Sequence, residues 1–73
     1  MYEIDKKKFG TFVAHLRREK GYTQKEMAEK LYISDKAVSK WEQGAGCPEL
    51  YTVVDIAKIF EVSTDYLLGL TEY

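Results

Sequence analysis

A very short link between two helical segments in the middle of the chain is the feature that most constrains its fold. Thr23 and Glu26 have the spacing of a capping box, which predicts a helix beginning at that threonine. Ser34 is a good N-cap for a second helix, so only Tyr32 and Ile33 remain as the link. Two short helices joined this tightly cannot lie antiparallel. The sequence therefore predicts a steeply crossed helix pair whose second helix projects from the surface.

Helical spacing of apolar residues extends over the rest of the chain. With one Pro and five Gly in 73 residues, there is little room for strands or long loops. We expect an all-α fold in which residues 1–73 form a single domain. Pro48 is expected at the first position of the fourth helix, with Leu50 facing the core. The apolar spacing and the capping residues predict five helices, at about residues 6–20, 23–31, 35–43, 48–60 and 63–68.

The third predicted helix has one apolar side and one polar side. Val38 and Trp41 are expected to face inward. A projecting polar helix of about ten residues fits the major groove of DNA, which is roughly 12 Å wide. Lysines can donate hydrogen bonds to guanine and an aspartate can accept one from cytosine, although the same residues also suit a solvated helix face. The outward residues are all polar: Asp35, Lys36, Ser39, Lys40 and Gln43.

Charge is distributed unevenly, although the net charge is only −1. Ten of the eleven basic residues lie within residues 1–40, beside six acidic ones, whereas residues 41–73 hold one lysine and six acidic residues. A chain polarised in this way can present a positive face to phosphate. A solvated charged surface without a partner remains the alternative interpretation.

Several functional classes have no support in the sequence. No apolar run approaches the roughly 20 residues of a membrane span, and no signal-peptide pattern follows the N-terminus. Cys47 is the only cysteine, and no metal-ligand spacing, phosphate-binding glycine loop or catalytic triad is present. We therefore expect a cytoplasmic, nucleoid-associated protein that is not an enzyme and uses no metal, cofactor or evident small-molecule effector.

A series of landmarks along the chain resembles the Cro/XRE group of phage-repressor-like helix-turn-helix domains. The resemblance spans about residues 9–70 and implies a five-helix, lambda-repressor-like fold with helices two and three as the helix-turn-helix. One departure is Tyr32, which stands where the family usually has glycine in a left-handed turn, at a cost of about 1 kcal/mol. The central landmarks are Thr23-Gln24, Met27-Ala28, Ile33-Ser34, Val38-Ser39-Lys40-Trp41-Glu42 and Gly44.

The resemblance also implies roles for individual residues. Arg17 and Glu42 are expected to form a salt bridge that joins the first helix to the end of the third. Bases and phosphates of double-stranded DNA are expected to contact Thr23, Gln24, Ser34, Asp35, Lys36, Ser39, Lys40 and Gln43.

The function that follows is sequence-specific binding of double-stranded DNA by a transcriptional regulator, as a repressor. A module of this size buries little surface, so we expect a homodimer on a pseudo-palindromic operator. The alternative is a protein-interaction or antitoxin-like module that retains the fold, which the near-neutral charge favours. Apolar residues near the C-terminus are the candidates for the dimer contact: Tyr66, Leu67, Leu70 and Tyr73.

Overall fold

The structure, a computed structural model, describes residues 5–68 and contains five α-helices and no strand within that range. The predicted all-α, five-helix fold is confirmed. None of these helices is long and apolar enough to cross a membrane. In chain order the helices are α1 (Lys6–Glu19), α2 (Gln24–Leu31), α3 (Asp35–Glu42), α4 (Leu50–Phe60) and α5 (Thr64–Leu67).

The helix starts follow from local capping chemistry. Asp5, Thr23, Ser34 and Ser63 each accept a hydrogen bond from a backbone N–H in the first turn of α1, α2, α3 and α5. At α2 the capping box is complete, because Glu26 also accepts from the backbone N–H of Thr23 at 2.8 Å. The sequence alone therefore determines where four of the five helices begin.

The start of α4 differs from the prediction. Glu49 keeps an extended backbone and is the N-cap, so Pro48 lies before the helix and not at its first position. Leu50, predicted to face the core, is 73% exposed. It continues the apolar stripe of Val53 and Phe60 by helical spacing, but the first turn of α4 extends past the edge of the core.

Four helices end in the same left-handed backbone conformation. Gly21 and Gly44, after α1 and α3, have φ values of 76° and 77°, while Tyr32 and Glu61, after α2 and α4, have 58° and 57°. At each end, two backbone N–H groups return to carbonyls of the last turn, as in a Schellman motif. The left-handed turn predicted at Tyr32 is thus present, and Glu61 adopts the same conformation in a place where no turn glycine was expected.

The core is centred on the underside of α3, which packs against both α1 and α2. Helices α4 and α5 pack together and close the other side. All five helices contribute buried apolar side chains to one cluster. These are Phe9, Val13, Leu16, Met27, Ala28, Leu31, Val38, Trp41, Val53, Ile56, Ala57, Phe60 and Leu67.

Candidate nucleic-acid interface

The buried face of α3 is held by apolar contacts. Val38 is fully buried and Trp41 nearly so, as their helical spacing predicts. The ring of Phe9 meets the indole of Trp41 edge to face, with 6.4 Å between the ring centroids. These contacts leave α3 little freedom to rotate about its axis, because rotation would bring Val38 or Trp41 into water.

Gly10 determines how closely α1 and α3 approach, and the sequence-based reasoning missed this role. A Cβ atom placed on Gly10 would lie 2.1 Å from the carbonyl oxygen of Trp41, so no larger residue fits. The signal was available in the sequence, because an isolated glycine inside an otherwise periodic apolar helix often marks a close backbone contact.

Arg17 and Glu42, which the resemblance pairs, form a bidentate ion pair between α1 and the last turn of α3. The Nε of Arg17 donates to Oε2 of Glu42 at 2.6 Å and its Nη2 donates to Oε1 at 3.0 Å. The two side chains are only 12% and 8% exposed. Two further donors complete the arrangement: Nη1 of Arg17 donates to the carbonyl of Tyr22 at 2.8 Å, and Nε2 of Gln24 donates to Glu42 at 3.1 Å. A pair of this geometry fixes the end of α3 relative to α1.

The ion pair changes the acidity of both members. Hydrogen bonding to Glu42 raises the pKa of Arg17 despite partial burial. Burial by itself acts to raise the pKa of Glu42, but the hydrogen bonds from Arg17 and Gln24, with the charges of Arg17 and Arg18, lower it on balance. Glu42 is therefore ionised at neutral pH.

The opposite face of α3 presents the side chains predicted to read DNA. Asp35, Lys36 and Lys40 are exposed. Lys36 directly follows Asp35, and Lys40 lies four residues further on, about one helical turn. Gln43 is also exposed, and its Nε2 donates to Oγ of the half-buried Ser39 at 2.9 Å. Four polar positions of α3 and its C-cap, Gln43, are thus exposed or half-buried, whereas Val38 and Trp41 are buried.

Three further predicted residues already make contacts within the fold. The hydroxyl oxygens of Thr23 and Ser34 accept backbone N–H groups of Glu26 and Ala37 at 3.0 and 3.2 Å. Each hydroxyl retains a proton that can be donated to a phosphate. Gln24 lies at the first position of α2 and is tethered to Glu42, which leaves its carbonyl oxygen and second amide proton for another contact.

Basic residues of α1 lie beside the loop that follows α3, a juxtaposition that the sequence-based reasoning did not anticipate. A Cβ atom placed on Gly44 would lie 3.0 Å from Cγ of Lys7. Burial raises the pKa of the Cys47 thiol, and the charge of Lys6 opposes that rise. The run of lysines near the N-terminus was the available signal, but only the packing of α1 on α3 brings it to this loop.

The residues predicted for a dimer contact divide into three groups. Leu67 is fully buried in the core, so its assignment to the contact is wrong: it anchors α5 to the rest of the domain. Tyr66 is half-buried and its ring stacks on that of Phe12, with centroids 4.9 Å apart. Leu70 and Tyr73 lie outside the described residues.

Comparison with known proteins identifies the family. Residues 13–67 match the family model HTH_3, described as helix-turn-helix. The chain belongs to this helix-turn-helix family. The resemblance to the Cro/XRE group is confirmed by that match and by curated relatives named as helix-turn-helix transcriptional regulators.

Two such relatives illustrate the similarity of the helix-turn-helix chain to longer proteins. It is 43% identical to the transcriptional activator BcrR of Enterococcus faecalis, over 84% of this chain and 30% of that protein. It is 41% identical to the transcriptional regulator ImmR of Bacillus subtilis, over 86% of this chain and 50% of that protein. The matched part of the chain therefore spans between 30% and 50% of the length of these relatives.

A solved structure supports the fold of the helix-turn-helix chain. The crystal structure of SinR, a master regulator for biofilm formation, in complex with DNA superimposes with a TM-score of 0.75 at 28% identity. The match covers 82% of this chain and 97% of that one. The predicted lambda-repressor-like architecture is confirmed.

Proposed function

We propose that this helix-turn-helix chain binds double-stranded DNA sequence-specifically through α3 and regulates transcription, as a repressor. The observation that carries the proposal is the contrast between the two sides of α3. Val38 and Trp41 lock one side into the core, while Lys36 and Lys40 are presented to solvent on the other. A helix held this way can enter the major groove without losing its own packing.

The likeness to regulators supports the same proposal. SinR is a DNA-bound regulator by its title, and the relatives above are named as transcriptional regulators. Occupying a DNA site requires no covalent bond to be made or broken, so the proposed role needs neither catalysis nor a cofactor. Because its target is the genome, we place its action in the cytoplasm, at the nucleoid.

Within the interface we assign two kinds of contact. Lys36 and Lys40 donate to guanine O6 and N7, and Asp35 accepts from a cytosine amino group or repels a misplaced phosphate. These contacts read sequence. Phosphate contacts set the register and come from side chains around the edges of α3. For these we assign Thr23, Gln24, Ser34, Ser39 and Gln43, together with Lys7 beside the loop after α3.

We further propose that two copies bind a pseudo-palindromic operator. A single module of this size buries too little surface for high affinity on its own. A dimer places two copies of α3 about 34 Å apart, one turn of DNA, on half-sites related by two-fold symmetry. Sedimentation with and without the selected duplex tests this, and a monomer under both conditions at high concentration contradicts it.

The decisive experiment is selection of bound duplexes from a random pool. We expect a recovered motif with two related halves, and a Lys40→Ala variant that loses preference at one position in each half. A salt titration on the selected duplex then distinguishes DNA binding from the alternative, a protein-interaction or antitoxin-like role. The net charge of −1 is the observation that favours this alternative. A DNA reader loses affinity with a log–log slope of about −0.9 per phosphate neutralised. If no duplex is enriched, the proposed function is wrong.

A further inference from the structure

Tyr32, in the turn between α2 and α3, combines an unfavourable backbone with an unused side chain. Its φ and ψ are 58° and 41°, the left-handed region that non-glycine residues avoid because Cβ approaches the following carbonyl oxygen. For a bulky residue this conformation is an outlier. The side chain is 95% exposed, so burial of the ring does not offset the cost.

The fold itself does not require an aromatic residue at this position. Gly21 and Gly44 end α1 and α3 with the same left-handed turn and the same pair of backbone hydrogen bonds. The backbone bonds at the end of α2 involve the N–H groups of Tyr32 and Ile33, which any residue other than proline provides. Strained, exposed residues cluster at binding sites, where their side chains act on a partner.

The place of Tyr32 in the helix-turn-helix indicates that partner. It lies two residues before Ser34, the N-cap of α3, and Ile33 between them packs against the core. The N-terminal residues of a recognition helix lead into the groove. A helix with its side chains is about 10–12 Å wide, so it fills a groove of roughly 12 Å. Because α3 itself occupies the width of the groove, an exposed side chain in the turn before it is expected to reach the flanking phosphates and not the base edges.

We propose that the phenolic hydroxyl of Tyr32 donates a hydrogen bond to a phosphate oxygen at the edge of the major groove entered by α3. This inference rests on the proposed function and adds a contact of a different kind from the lysines. A tyrosine hydroxyl is an uncharged donor that proteins use on phosphates. It positions α3 without displacing a counterion, so its contribution to affinity does not depend on salt in the way that a lysine's does.

A Tyr32→Phe variant isolates the hydroxyl, because the ring, the exposure and the backbone constraint are retained. On the selected duplex, at fixed salt, we expect affinity to fall about fivefold to tenfold. The log–log salt slope should stay at the wild-type value, whereas Lys7→Ala, which removes a lysine assigned to phosphate, should make the slope shallower by about one. The inference would be overturned if Tyr32→Phe bound the duplex with unchanged affinity. It would also be overturned if this substitution changed the salt slope.

A second pair of variants separates strain from binding. Tyr32→Gly removes the strained residue, so its melting temperature should rise while its DNA affinity falls at least as far as that of Tyr32→Phe. Glu61→Gly is the matched control, because Glu61 has nearly the same φ and ψ at the end of α4, away from α3. Its melting temperature should also rise, without weaker DNA binding. Tyr32→Gly with undiminished affinity would contradict the inference.

The two proposals fail in different ways. If the wild-type chain enriches no duplex, the proposed function is wrong, and so is the proposed role of Tyr32. If the wild-type chain binds a duplex and both Tyr32→Phe and Tyr32→Gly bind it equally well, only the proposed role of Tyr32 is wrong.

Discussion

The two faces of α3 differ in how strongly the rest of the molecule constrains them. The inner face carries Val38 and Trp41 in the core, and Glu42 in the ion pair with Arg17. The outer face carries Asp35, Lys36 and Lys40, all exposed. The apolar packing and the ion pair that hold the helix in place therefore use residues other than those proposed to read bases.

This division separates the position of the helix from what it reads. Side chains on the inner face set the tilt and rotation of α3, and altering them affects the stability of the whole domain. Side chains on the outer face can vary at little cost in stability, because they contact water in the free protein. A domain built this way can change its target sequence without changing its fold. Four experiments test the contrast, in order of decreasing expected effect on stability.

Glu42→Ala should have the largest effect, lowering the free energy of unfolding by about 3 kcal/mol, because it leaves the Arg17 guanidinium largely buried without its counter-charge. The measurement is urea denaturation at neutral pH. Glu19→Ala is the control, since its pair with His15 at 3.1 Å is exposed and should matter by less than about 0.5 kcal/mol. Equal effects of the two substitutions would mean that the inner face is not specially constrained.

Gly10→Ala should destabilise the domain by about 2 kcal/mol, since overpacking against the Trp41 carbonyl outweighs the roughly 1 kcal/mol that alanine gains over glycine within a helix. Gly46→Ala is the control. A Cβ there meets only the Lys40 side chain, at 3.8 Å, which is ordinary contact. The same denaturation experiment measures both variants. A stabilised Gly10→Ala would show that α1 and α3 separate easily, contrary to the close approach of Gly10 to the Trp41 carbonyl.

Acid should remove part of the stability that the inner face provides. The pKa of Glu42 is lowered in the folded protein, so its contribution is fully present above the ordinary value of 4.5 and is lost as pH falls through the lower folded value. Hydrogen bonds with Thr23 lower the pKa of Glu26 as well. The stability difference between wild type and Glu42→Gln, from urea midpoints at several pH values, should therefore shrink below pH 4.5. A constant difference would contradict this prediction.

Lys36→Ala and Lys40→Ala should have the smallest effects on stability, within about 0.5 kcal/mol, because both side chains are exposed on the outer face. Their effect on DNA affinity should nevertheless be about tenfold each, or about 1.4 kcal/mol, within the roughly 1–3 kcal/mol of a specific base contact. Lys58→Ala on α4 is the control for loss of one positive charge elsewhere. If these variants lost no more affinity than the control, the outer face of α3 would not be part of the DNA interface.

Much of the fold and part of the interface can be predicted from the sequence, because local chemistry determines them. The capping box at Thr23 and Glu26 and the N-cap at Ser34 specify where α2 and α3 begin whatever surrounds them. The inward positions of Val38 and Trp41 follow from helical spacing. Leu50 was misassigned because helical spacing indicates which side of the helix a side chain lies on. It does not indicate whether another element packs against that side chain.

Other features depend on distances between helices, which spacing along one helix does not report. The role of Gly10 exists only because the carbonyl of Trp41, thirty-one positions later, lies against it. Lys7 approaches Gly44 because α1 packs on α3, and Leu67 is buried because α5 folds back onto the core.

The sequence by itself determined the number of helices in the described part of the chain, where four of them begin, and the polar character of one side of α3. Only the tertiary structure decided how closely α1 and α3 approach and which basic residues lie beside the loop after α3. The physical reason is range. Capping and amphipathic spacing act over three or four residues, whereas close packing couples residues far apart in the chain through the volume they share.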